Sequence, residues 1–176
     1  MFERSYAIFP QQAGELIIPP VMFTAVQPTG RSSRSFLPPR GQQIRKLSQQ
    51  QSVTVRPAPD SFSGDTWLPA ASIELQQNWS SDIKSLHVGD SITRTITING
   101  QNILAAQLPP IEFEAIEGAR LYPDQGTMES TENTQGVYSS RSDSTAIIPT
   151  REGELLLPAI RVRWWDTQSQ RSRVAV

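Results

Sequence analysis

The chain's 176 residues are enough for one ordinary domain and a remainder, but too few for two complete domains of ~100–150 residues each. Apolar residues make up 37%, which supports a core without long buried helices, and a formal net charge of −1 removes any bulk electrostatic case for nucleic acid or a membrane surface as partner. With no cysteine, disulfide staples, thiolate metal sites and cysteine nucleophiles are excluded together.

In chain order, Met1 to Tyr6 lacks the charged-then-apolar layout of a secretion signal. No apolar run approaches the ~20 residues of a membrane span. A signal and a membrane anchor, where the parent protein has them, are expected outside this chain. The segment from Ala7 to Pro19 (AIFPQQAGELIIP) then returns between Ala146 and Pro158 as AIIPTREGELLLP, with seven of thirteen positions identical. A strand halted by proline, a turn with glycine and a second apolar strand halted by proline read as a β-hairpin near the end of a sandwich domain. The first copy sits at the start of the chain. Residues 1–56 are therefore expected to be the C-terminal strands of a sandwich domain whose front half is absent.

Within that stretch, Val21 to Val26 and Ser52 to Val55 read as strands. The polar segment Gln27 to Gln51, rich in proline, glycine and glutamine, reads as a long loop. It carries a basic run, Arg31, Arg34, Arg40, Arg45 and Lys46, taken as solvated surface. Strands deprived of partners expose edges, so this region is expected to pack on the complete domain or to pair with a second chain as a dimer. Residues 57–69 read as the linker.

The complete domain is expected at 70–176. Ile73, Leu75, Gln77 and Trp79 alternate with Ser72, Glu74, Gln76 and Asn78. A Val88-Gly89-Asp90 turn leads to a strand with Ile92, Ile96 and Ile98 on one face and Thr93, Thr95 and Thr97 on the other. Further strands are predicted at Ile111–Ile116, Ala119–Tyr122, within Gly136–Ile148, at Ala159–Asp166 and at Gln170–Val176, with helical turns only near Asn102–Ala106. About seven strands in ~100 residues is the size of an immunoglobulin-like β-sandwich, so the fold class is all-β. Arg94 falls in the inward phase, where a charge is costly unless paired. It is expected at a sheet edge beside Asp90 or Glu74.

Little in the chain points to catalysis. His87 is the only histidine and precedes a surface turn. Nothing resembles a nucleophile elbow, a phosphate loop or a metal-ligand spacing. Glu112 and Glu114 share one face of their predicted strand, but a solvated acidic face explains them, as it does Glu117, Asp124, Glu129 and Glu132. No cofactor and no metal are expected. The more specific feature is at the C-terminus. If Ala159–Asp166 and Gln170–Val176 pair through Thr167-Gln168-Ser169, then Arg161, Arg163, Trp165, Arg171 and Arg173 share one face. Arginine and tryptophan are the residues of interface hot spots, which makes this the candidate partner-binding face. The alternative is a carbohydrate-binding or adhesin-like module with Trp67, Trp79 and Trp165 as its aromatic platform.

Several stretches, in order, resemble the BatD family, the aerotolerance or oxygen-tolerance proteins of bacterial envelopes. They are Leu68-Pro69-Ala70, the strand through Trp79, Val88-Gly89-Asp90-Ser91-Ile92-Thr93-Arg94, Ala105-Ala106-Gln107-Leu108-Pro109-Pro110, Leu121-Tyr122-Pro123-Asp124-Gln125, Ile148-Pro149-Thr150-Arg151-Glu152-Gly153, and Leu157-Pro158-Ala159-Ile160 closing on Trp164-Trp165-Asp166. The resemblance covers residues 68–176. It implies a string of β-sandwiches on the periplasmic side of a cytoplasmic membrane, anchored by a segment outside this chain. It also implies a place beside MoxR-type ATPases and membrane proteins with von Willebrand factor A domains. The family offers no catalytic motif to carry over, so the implied role is a non-catalytic interaction scaffold.

Overall fold

The computed structural model describes residues 5–28, 41–64 and 66–176. Strands dominate, joined by two single-turn 3₁₀ helices, Ile83–Ser85 and Ala105–Gln107, and no α-helix occurs among the described residues. The chain forms two compact units, residues 10–57 and residues 58–176 together with 5–9.

The smaller unit holds β1 (Gly14–Ile18), β2 (Met22–Pro28), β3 (Gly41–Leu47) and β4 (Gln51–Val55). β1 pairs antiparallel with β4, from Gly14 opposite Val55 to Ile18 opposite Gln51. β2 pairs with β3, from Met22 opposite Leu47 to Pro28 opposite Gly41. The four strands of this unit pair two by two. One expectation is corrected: residues 41–47 belong to a strand and not to a loop. The sequence of β3, GQQIRKL, hides it because a two-stranded ribbon is wet on both faces and needs no apolar alternation. Arg31, Arg34 and Arg40 of the basic run, with the rest of residues 29–40, lie outside the described residues.

The larger unit is a sandwich of two sheets. The first sheet contains β6 (Ser72–Trp79), β7 (Ile92–Gln101), β8 (Ala119–Pro123), β9 (Thr127–Asn133) and β10 (Gly136–Pro149). Its order is β6-β7-β10-β8, and β9 continues along the same side of β10 as β8. The second sheet is smaller, with β5 (Pro69–Ala70), β11 (Val162–Asp166) and β12 (Arg171–Ala175) in the order β12-β11-β5. The core lies between them: Ile73, Ile96 and Ile98 from one side meet Leu68, Ala70, Val162 and Trp164 from the other, with Ile103, Leu108 and Ile111 closing the gap. Gly100 faces this core, where a Cβ would meet Ile103 Cγ2 at 2.5 Å, so only glycine lets the covering loop approach so closely.

The strand at Ile111–Ile116 does not form. This segment is fastened by side chains instead: the Ile111 N–H donates to the Asp143 carboxylate at 3.1 Å, and Phe113 packs against the core. β9, TMESTEN, gave no strand signal because every residue in it is exposed. The repeated segment forms a hairpin in neither copy. Ala146–Pro149 ends β10 and Gly14–Ile18 is β1, while the other arm of each copy is irregular. The second copy leaves one sheet at Pro149 and enters the other at Val162. A chain crossing the ~10 Å between packed sheets cannot pair with either. Residues 57–69 were expected to be a linker, but from residue 58 on they belong to the sandwich unit and bury Leu68 in its core.

Candidate functional site

The C-terminal hairpin carries the predicted partner-binding residues, and its turn decides which way they point. Thr167 to Gln170 form a four-residue turn with Asp166 opposite Arg171, not the three-residue turn predicted. Gln170 takes the left-handed conformation, φ +53°. The Asp166 carboxylate builds this turn: it accepts the Gln168 and Ser169 N–H groups at 2.9 and 3.0 Å and the Ser169 hydroxyl at 2.6 Å. The Arg173 guanidinium adds an ion pair at 2.7 Å. These bonds, the Ser169 hydroxyl first, hold the carboxyl down at about 2 despite the opposing effect of burial.

One added turn residue moves the register by one, and that flips a strand's faces. Trp165 stands opposite Ser172 and Arg163 opposite Val174, whereas Arg173 stands opposite Trp164. The expected common face is therefore corrected. Arg163 and Trp165 lie on one side of the sheet, Arg171 and Arg173 on the other, and Arg161 precedes the strand as an exposed residue. Nor is Trp165 outward and free. It is 7% exposed, because Trp67 lies against it with ring centres 5.9 Å apart and Phe62 meets Trp67 edge-on at 5.0 Å. Arg163 fastens the same covering segment, donating from Nη1 to the Ser63 hydroxyl at 3.3 Å. Phe62 is not among the predicted site residues because it sits among turn residues, and Trp67, expected on a sugar-binding platform, serves as a cover instead. Their aromatic character was the available signal.

What remains open is an edge. Among the described residues, β5 pairs with β11 only at Trp165 and Asp166, where the Trp165 N–H donates to the Leu68 carbonyl at 2.9 Å. Backbone directions alternate along a strand, so the Arg163 N–H faces the same side, two residues beyond the last described pairing. A groove of about 560 Å³ runs along this edge, with Arg161 and Arg163 on one wall and Pro109, Pro110, Glu112 and Glu114 on the other.

Arg94 forms a second site. β7 lies between β6 and β10, so Arg94 is on a central strand, and neither Asp90 nor Glu74 pairs with it. Asp90 instead closes its own turn with His87, whose backbone N–H donates to it at 2.8 Å. That hydrogen bond, more than the imidazole 3.2 Å away, lowers the Asp90 carboxyl below its ordinary range. Arg94 is 7% exposed, donates from Nε to the Gln77 side-chain oxygen at 2.9 Å and lies over the Trp79 ring at 5.8 Å. Among the described residues it has no ion pair, and burial lowers its pKa below the ordinary arginine value. Directly opposite on β10 stands Thr145, fully buried, with no hydrogen-bond partner for its hydroxyl. Its place in the inward phase of Ile147 was the signal the sequence carried for it. The tryptophans do not form one platform: Trp67 covers Trp165, while Trp79 takes Arg94.

Fold and site together define an all-β sandwich domain with, among the described residues, an unpaired strand edge and a buried, unpaired guanidinium. A family model described as the BatD DUF11 like domain matches residues 79–176. The chain belongs to the BatD family. No curated protein and no solved structure matches it.

Proposed function

We propose that the chain is a non-catalytic interaction scaffold on the periplasmic side of a bacterial cytoplasmic membrane. It serves oxygen and stress tolerance together with membrane proteins that carry von Willebrand A domains and a MoxR-type ATPase. The observation that carries the reading is the free edge of β11 at Arg163, flanked by Arg161 and opening on the 560 Å³ groove. An extended segment of a partner can add there as a strand, main-chain hydrogen bonds giving affinity and flanking side chains giving selectivity. The cellular setting is supported by membership of the BatD family alone.

The test is to offer the immobilised chain a purified envelope protein with a von Willebrand A domain and, in parallel, a glycan array. Capture of the protein is expected, weakening as salt rises because Arg161 and Arg163 are exposed charges. Binding of glycans without capture of the protein would favour the carbohydrate reading instead.

A further inference from the structure

Among the described residues, folding leaves a charge without a counter-charge and a hydroxyl without a partner side by side on the inward faces of β7 and β10. A buried guanidinium normally finds a carboxylate, and a buried hydroxyl normally finds a hydrogen bond. Arg94 and Thr145 have neither, though Glu112 and Glu114 line the same slot and Val176 lies at its rim.

The space beside them has a definite shape. An inner cavity of about 30 Å³ is bounded by Arg94, Thr145, Phe113, Leu121, Ile147 and Ile160. That is room for about two water-sized groups, the size of the two oxygens of a carboxylate. An adjoining open cavity of about 290 Å³ shares Arg94, Ala159 and Ile160 with it and is walled by Leu75 and Ile96. Nε of Arg94 is committed to Gln77, and among the described residues its two terminal nitrogens have no ion pair. Arg94 is the one cation lining the slot, and Glu112 and Glu114 also line its inner part, so an occupant can carry no more than a single negative charge, while aliphatic walls call for hydrocarbon attached to it.

We propose that this slot binds an aliphatic monocarboxylate, its oxygens between the Arg94 guanidinium and the Thr145 hydroxyl and its hydrocarbon against Leu75, Ile96 and Ile160. The site is separate from the β11 edge and does not depend on its role. A free branched-chain acid and the apolar C-terminal residue of a polypeptide share this chemistry.

Calorimetric titration of the full chain with isovalerate, with the peptide acetyl-Ala-Ala-Ala-Leu and with the same peptide as its C-terminal amide separates the sources. Tighter binding of the free-acid peptide than of isovalerate identifies a polypeptide terminus, and the reverse order identifies a small acid. In either case the amide is expected to bind at least about tenfold more weakly than the free-acid peptide. Thr145→Val removes the unpaired hydroxyl at constant shape, so it should melt at the same or a higher temperature than wild type while losing several-fold in affinity for the better ligand. Arg94→Met should abolish binding. Equal binding of acid and amide, no binding of either acid, stronger binding of inorganic phosphate, or unchanged affinity in the stable Thr145→Val variant would each overturn the proposal.

Discussion

The Trp67 indole covers Trp165, ring centres 5.9 Å apart and planes 38° from parallel. A segment some hundred residues upstream of β11 thereby closes what the strand's alternation marks as an outer face. Trp164 is 6% exposed beneath the sheet and Trp165 7% exposed above it. Alanine at either position should therefore cost about 3–5 kcal/mol, as truncation of a buried aromatic generally does. Thermal or denaturant melts of the two variants should show comparable losses. A Trp165→Ala variant as stable as wild type would mean that the cover is absent in solution.

The same pair predicts coupling. Trp67 is 39% exposed, so Trp67→Ala should cost less than Trp165→Ala. The double variant should cost less than the sum of the two by about 0.5–1.5 kcal/mol, the range for an aromatic pair. Additive losses would contradict the packing of Trp67 on Trp165.

Asp166 makes the stability of the hairpin depend on pH. Its carboxyl titrates near 3.8 as a free side chain and at about 2 in the fold. The folded state therefore gains from this group above pH about 4 and loses that gain as pH falls through about 2. Wild type should exceed Asp166→Asn in denaturation midpoint at neutral pH, and the difference should shrink steadily across that acid window. A difference that stays constant down to pH about 2 would contradict the role given to its charge.

Gly100 tests the closeness of the core. A methyl group there meets Ile103, with Ile73 at 3.2 Å and Leu108 at 3.4 Å. Overpacking of this kind costs about 1–3 kcal/mol, so Gly100→Ala should melt measurably lower with the fold retained by circular dichroism.

Strands that are wet on one face and dry on the other were readable. β7 shows it best, since burial of Ile92, Ile96 and Ile98 forces a period of two into the sequence. β3 and β9, exposed on both faces, carry no such imprint. The phase of Arg94 was readable too, but its surroundings were not, because membership of a central strand depends on a β10 partner some fifty residues away. The arginine face failed on one residue of turn length, which no periodicity within either strand reveals. The cover over Trp165 is a tertiary contact, and sequence order alone does not report it.

If β11 offers its free edge to a partner strand, the Arg163 backbone amide reports on it directly. Hydrogen exchange at this amide should be compared in the chain alone and in the chain saturated with a von Willebrand A-domain envelope protein. Fast exchange is expected alone and clear slowing in the complex, with the Trp165 amide, already bonded to the Leu68 carbonyl at 2.9 Å, protected in both. A complex that forms while Arg163 exchanges as fast as in the free chain would contradict it.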